Sequence, residues 1–237
     1  MQSPDFAAVG LQHFQQKDLL FLFEHFPVAG VDPVEAVQRV HENPLMLESI
    51  LESNYVHAAL MDQRAQCLDV SPQLFFDVML RRAIPGPRDR LDRQAIHYLA
   101  NMLGLFSRTE RVYRLQHDDT ARYEYLADLV REGLESGPER RFLVNAHIGN
   151  YALYLSGICA PWVEHRRDFK RRPVSLEFYK RMGCSHYASA AGSVQAQEFG
   201  LGDVFRRLAE RFEHFRIGLR RLAEDVFPTR QPAPIRV

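Results

Sequence analysis

The chain has few cysteines and nothing that resembles a secretion signal. Its 237 residues include three cysteines, Cys67, Cys159 and Cys184, which lie far apart and form no Cys-x-x-Cys pair. A disulfide framework and a cysteine-based zinc site are therefore not expected, and a reducing, cytoplasmic compartment is predicted. Residues 1–14 contain no basic segment followed by an apolar stretch, so no secretory signal is predicted.

Motifs that identify common enzyme classes are also missing from the sequence. There is no His-Glu-x-x-His, no Walker loop and no Gly-x-Ser-x-Gly elbow, and Gly200-x-Gly202 lacks the third glycine of a dinucleotide fingerprint. A di-iron bundle needs Glu-x-x-His motifs on facing helices, and none occurs. Glu48 and Glu52 share a helix face, but such a pair is typical of a solvated face. No metal site, cofactor or catalytic residue is predicted, and whether the chain is an enzyme stays open.

The charge is zero overall but unevenly distributed along the chain. Residues 1–137 carry 13 Lys and Arg against 20 Asp and Glu, whereas residues 138–237 carry 17 against 10. One interpretation is that the acidic and basic halves face each other in one fold. The alternative is a basic surface for an anionic partner. The neutral total disfavours nucleic-acid binding as the main activity without excluding it.

Proline placement indicates helices, because proline fits the first helical turn and a small polar residue before it can act as the cap. Asp32-Pro33, Asn43-Pro44 and Ser71-Pro72 have this form and are followed by apolar residues at helical spacing. Ser175 is a further cap, and Asp118 or Asp119 is expected to cap a helix that carries the stripe from Tyr125 to Leu134.

Strand patterns are poor throughout, so the predicted fold is all-α, a compact bundle of about eight to ten helices with a buried central helix. Residues 1–227 are expected to form a single domain, with a soft subdivision at Gly137-Pro138, and residues 228–237 a flexible tail.

The predicted central helix comes from a segment without charged side chains, residues 142–163. Asn145, His147 and Asn150 argue against a membrane span, and a helix that is apolar all round is usually buried all round. Pro161 is expected to end it. Gly149 and Gly157 indicate close approach to neighbouring helices.

Four polar side chains share one face of this helix: His147, Asn150, Tyr151 and Tyr154. Once buried, they must find hydrogen-bond partners, either in a structural network or as the wall of a ligand pocket. A nearby basic run would favour an anionic ligand, with the candidate binding residues Arg166, Arg167, Arg171 and Arg172.

The C-terminal region carries an apolar seam with regular heptad spacing, predicted to lie on one long helix. Its residues are Leu201, Phe205, Leu208, Phe212, Phe215, Leu219, Leu222 and Val226. The seam either packs inside the bundle or joins two chains, and the first six residues are the candidates for partner binding.

Three functional hypotheses follow. The leading one is a helical interaction or regulatory module that binds a protein partner or a second copy of itself, with the seam as the suspected surface. The second is a small-molecule binding protein or enzyme with an anionic ligand beside His147. The third is nucleic-acid binding through the basic C-terminal half.

Overall fold

The computed structural model describes residues 3–8, 10, 13–26, 36–37, 44–62, 70–168 and 174–226. Across these ranges all regular structure is helical, with twelve α-helices and no strand. The all-α prediction is confirmed, and the helices outnumber the predicted eight to ten. None of these helices is both long and apolar enough to cross a membrane. The predicted tail at 228–237, the Asp32-Pro33 pair and Asn43 lie outside the described residues.

The α-helices are numbered in chain order. They are α1 (Gln16–His25), α2 (Pro44–Leu51), α3 (Asn54–Met61), α4 (Pro72–Ala83), α5 (Arg90–Phe106), α6 (Leu126–Glu135), α7 (Pro138–Gly157), α8 (Ala160–Asp168), α9 (Leu176–Ala191), α10 (Val194–Glu198), α11 (Gly202–Glu210) and α12 (Phe212–Val226). Short 3-10 helices span Asp5–Ala7 and Thr109–Tyr113.

Two of the predicted caps are confirmed and one is wrong. The hydroxyls of Ser71 and Ser175 accept hydrogen bonds from backbone N–H groups in the first turns of α4 and α9. Neither Asp118 nor Asp119 caps α6, because the cap position belongs to Tyr125. The Asp119 carboxylate instead forms an ion pair with Arg140, 2.9 Å away.

The helices enclose two main hydrophobic cores that share α4. The larger core lies among α4, α5, α7, α9, α11 and α12, and its bulkiest buried side chains include Tyr98, Tyr187 and Phe205. The smaller core joins α1, α2 and α3 to Leu74 and Val78 of α4. Because α4 contributes to both cores, it connects helices α1, α2 and α3, which we call the N-terminal layer, to the rest of the molecule.

Helix α7 lies at the centre of the larger body and packs against α6, α8, α9, α10 and α12. It is buried along most of its length, as the charge-free segment predicted. Its end was predicted wrongly. The helix stops at Gly157, and Pro161 lies in the first turn of α8 instead of ending α7. Proline is tolerated there because first-turn N–H groups have no partner within their own helix.

Glycines let α7 approach its neighbours closely, as predicted. A Cβ atom at Gly149 would lie 2.6 Å from the Tyr187 ring of α9, and one at Gly157 would lie 2.7 Å from Leu219 of α12. Real Cβ atoms essentially never come so near another heavy atom. The backbones of these helices therefore sit at separations that only glycine permits.

The C-terminal seam belongs to two helices, because the helical conformation is interrupted at Arg211, between α11 and α12. The six candidate partner-binding side chains are each at most 1% exposed and lie in the larger core. They are Leu201, Phe205, Leu208, Phe212, Phe215 and Leu219. The chain's own helices thus cover the seam, which matches the interpretation that it packs inside the bundle. Partner binding by these six residues stays a prediction.

Ion pairs connect the acidic and basic halves of the chain. Arg207 contacts Asp89 and Asp92, and Arg211 contacts Asp92 at 2.6 Å. Asp92 is 7% exposed at its side chain, so its charge is largely removed from water and needs these arginines. The uneven charge distribution thus contributes to packing within the fold.

The close approach at Gly149 leads to a stability prediction. Gly149→Ala forces the Tyr187 ring to move, so we expect the free energy of unfolding to fall by about 1–3 kcal/mol. Gly104→Ala is the matched control, because a Cβ there meets its nearest atom at an ordinary 3.5 Å. Its effect should stay within about 1 kcal/mol, set by helix propensity alone. Urea denaturation of both variants measures the difference, and equal values for the two would contradict the packing at Gly149.

Candidate functional site

The predicted polar face of α7 is hydrogen-bonded inside the molecule. The ring nitrogen Nε2 of His147 lies 3.1 Å from the carbonyl oxygen of Val112, to which it donates. Burial lowers the pKa of His147 to about 4, so the ring is neutral at physiological pH. The Asn150 Oδ1 atom accepts hydrogen bonds from the hydroxyls of Tyr98 and Tyr187, each at 2.8 Å. These contacts match the structural network that was one of the two interpretations.

Tyr151 and Tyr154 complete this face and are half-buried. The Tyr151 ring stacks on the His147 ring, and the Tyr154 ring meets Phe106 edge-on with centroids 5.3 Å apart. Burial raises the pKa of Tyr154, and the neighbouring Cys159 raises it further. None of the four side chains lines either of the cavities described below.

Two of the four candidate anion-binding arginines, Arg166 and Arg167, lie on α8. The Arg166 guanidinium sits 4.6 Å from the ring centroid of Trp162, which is 44% exposed, and Arg167 is exposed on the same helix. Arg171 and Arg172 fall outside the described residues. Anion binding by this stretch stays a prediction.

The most densely charged buried site was not predicted. Asp77 and Arg81 of α4 and His97 of α5 are each at most 3% exposed. Arg81 Nε donates to Asp77 Oδ1 at 2.7 Å, and Asp77 Oδ2 accepts from His97 Nδ1. Glu48 of α2 completes the group, with Oε1 3.1 Å from His97 Nε2 and Oε2 2.7 Å from Arg81 Nη2. We call these four residues the ionic cluster.

Electrostatics favour the charged form of every member of the ionic cluster. Burial alone would lower the pKa of His97, but the Asp77 charge and the bonds to Asp77 and Glu48 raise it to about 9. Burial alone would raise the pKa of Asp77, but His97 and Arg81 lower it to about 2. The pKa of Glu48 is also lowered, by His97 and Arg81 against burial. Two positive and two negative groups therefore neutralise one another away from water.

The ionic cluster connects the N-terminal layer to the body of the molecule. Glu48 comes from that layer, whereas the other three members belong to α4 and α5. Glu52, directly after the end of α2, contacts Arg81 at 3.3 Å and Arg88 at 3.1 Å. Glu48 therefore does not lie on the solvated face predicted for this pair. Within the described part of the chain, no set of three or more His, Cys, Asp or Glu side chains is arranged to hold a metal ion.

The surface carries a groove between α6, α7 and α9, with a cavity volume of about 420 Å³. Apolar and polar groups both line it: Val130, Gly133, Leu134, Arg141, Val144, Asn145, His186 and Ser189. Val144 is buried, whereas Leu134 is 76% exposed, the highest value among the large exposed apolar side chains of the described residues. We call this the α6–α7–α9 groove.

Polar groups around the α6–α7–α9 groove are held in fixed orientations. Arg141 donates from Nε to the Gly133 carbonyl and from Nη2 to the Ser136 carbonyl, both at 3.0 Å. His186 Nδ1 donates to Asn145 Oδ1 at 2.7 Å, and burial lowers the pKa of His186. The neutral ring therefore keeps Nε2 as a hydrogen-bond acceptor. No carboxylate lines the groove, and none in the described ranges forms an ion pair with Arg141.

A second cavity, of about 440 Å³, has a polar lining that includes Asp5, His117, Asp118 and Arg140. The Arg140 guanidinium is already engaged by Asp119, Glu132 and the Tyr123 hydroxyl. Asp5 pairs with Arg111. Of the four charged side chains around this cavity, Asp5 and Arg140 are thus neutralised within the chain, whereas Asp118 and Glu139 form no ion pair with a described residue. The α6–α7–α9 groove is the stronger candidate site because a highly exposed leucine, Leu134, lines it.

The chain matches no family model, no curated protein and no solved structure. Function must therefore be inferred from the geometry of this molecule.

The raised pKa of His97 predicts loss of stability at alkaline pH. Because the pKa of His97 is higher in the folded state than in the unfolded state, its protonated ring stabilises the fold. This stabilisation is complete below pH 6.5, the unfolded-state pKa, and is lost as the pH rises from there through about 9. We expect the wild type to lose on the order of 2–3 kcal/mol of unfolding free energy across this range because of His97. His97→Gln should remove that dependence.

The control is His147→Gln, because the lowered pKa of His147 places its own effect on the acid side of neutrality. This variant should keep the alkaline loss of the wild type. Urea denaturation at several pH values gives the free energy of unfolding as a function of pH. Parallel pH dependences for wild type and His97→Gln would show that the ionic cluster does not keep His97 protonated.

Proposed function

We propose that the chain is a helical interaction module that binds a protein partner through the α6–α7–α9 groove. The observation that carries the proposal is Leu134, which is 76% exposed and lines a groove that also contains the apolar side chains of Val130 and Val144. Covering a leucine side chain contributes about 1.5–3 kcal/mol of favourable free energy. Exposed apolar groups beside a groove with fixed polar groups are typical of protein contact sites.

The groove also offers groups that would orient a partner. Arg141 supplies a positive charge, His186 supplies an acceptor, and the amide of Asn145 supplies donors. Because the bonds to the Gly133 and Ser136 carbonyls and to Asn145 already hold Arg141 and His186 in place, a partner would need to order few side chains. Preorganisation of this kind lowers the entropy lost on binding.

Helix α6 leaves much of its surface in solvent. It buries only Leu129 and Gly133 and packs mainly on α7. Its outer stripe, Ala127, Arg131 and Leu134, is exposed. The proposal thus keeps the interaction module inferred from the sequence and moves its surface from the C-terminal seam to α6.

Photo-crosslinking from position 134 tests the proposal. A benzoylphenylalanine in place of Leu134, in cells that express the natural gene, should yield a covalent adduct with a protein. The same residue in place of Leu45 is the control, because Leu45 is 71% exposed but lies on α2. Absence of a protein adduct from position 134, or identical adducts from both positions, would contradict the groove as a partner site.

A further inference from the structure

The lining of the α6–α7–α9 groove specifies the chemistry of its occupant. The apolar wall, formed by Val130, Leu134 and Val144, requires an apolar side chain. Arg141 stands beside it with no carboxylate partner among the described residues, so a carboxylate next to that apolar side chain would complete the contact. The required ligand is thus a segment that presents a large aliphatic group and a carboxylate side by side.

This chain itself presents such a pair on α6. Leu134 and Glu135 are adjacent and both exposed, and Glu135 forms no ion pair with any described residue. We propose that the occupant of the groove is a second copy of this chain, with Leu134 of each copy in the groove of the other and Glu135 of each copy paired with Arg141 of the other. The inference rests on the proposed function, since it names the partner of the same groove.

A twofold axis near Leu134 makes this pairing geometrically consistent. Arg141 donates to the carbonyls of Gly133 and Ser136, so its guanidinium lies beside the end of α6 that carries Leu134 and Glu135. An axis through that end brings the same residues of the second copy to the same place. Twofold contacts are self-complementary in this way, because one patch meets its own copy.

The contact is small, and this limits its strength. Because it would involve only α6 and the rims of α7 and α9, we expect it to bury less than the area of a standard interface, about 800 Å² per partner. Both ion pairs lie at the surface, where salt weakens them. A dimer with a dissociation constant of roughly 1–100 µM is therefore expected, and it should dissociate further in high salt.

Charge reversal with rescue tests the inference by sedimentation velocity of the full chain between about 1 and 200 µM, a range around the expected constant. Arg141→Glu and Glu135→Arg each place like charges opposite one another, so each should raise the dissociation constant at least about tenfold. The double variant restores opposite charges and should return to within about threefold of the wild type. Arg206→Glu, an exposed reversal on α11, should change nothing.

Arg141→Glu also removes two bonds to backbone carbonyls, so thermal unfolding of each variant is measured alongside. Leu134→Asp keeps those bonds and should still abolish the dimer. A monomer at every concentration, a dimer insensitive to the single reversals, or a double variant that is not rescued would each overturn the inference.

The crosslinking experiment separates this inference from the proposed function. An adduct of position 134 with twice the mass of the chain supports both. An adduct with a different protein overturns self-association but retains the groove as a partner site. No adduct at all overturns both.

Discussion

The fold depends on one buried amide that joins three helices. The Asn150 carbonyl oxygen of α7 accepts hydroxyl hydrogens from Tyr98 of α5 and Tyr187 of α9, and both tyrosines are fully buried. Each tyrosine ring also packs on Phe205 of α11, so the same two side chains take part in both the hydrogen bonds and the aromatic core. Removing the acceptor would leave two buried hydroxyls unsatisfied, at roughly 1–3 kcal/mol each. Gly149 allows this arrangement, because only glycine lets the Tyr187 ring come so near α7.

The ionic cluster plays the corresponding role for the N-terminal layer. Asp77, Arg81 and His97 lie in the body of the molecule, and Glu48 brings α2 onto them. A buried charge group of this kind contributes little net stability compared with apolar packing, but losing one member leaves the others uncompensated. The N-terminal layer is therefore held in one register on α4 and α5. Both buried polar sets find their main partners inside the molecule, and the proposed partner contact is therefore placed on the surface of α6, α7 and α9.

Much of the fold could be predicted from local sequence, and little of the site could. Proline and serine at Ser71-Pro72 mark a helix start because the cap is a local interaction, and the polar face at His147 follows from helical periodicity. The ionic cluster was missed although Asp77, Arg81 and His97 interrupt apolar stripes, since its bonds join residues up to 49 positions apart. The regular seam concealed the break at Arg211, because heptad spacing describes side-chain burial and not backbone continuity.

The exposure of Leu134 could not be predicted from the sequence either. Leu134 is the last residue of an ordinary amphipathic stripe, and only the packing of α6 against α7 shows that its side chain is left in solvent.

The most direct measurement is hydrogen–deuterium exchange of the full chain in dilute and in concentrated solution. Contact through the groove predicts that residues 126–135 and 182–189 gain protection with concentration, whereas residues 146–153 stay equally slow throughout. Gained protection across residues 202–226, with none in residues 126–135, would contradict the assignment of recognition to α6 and of the seam to the core.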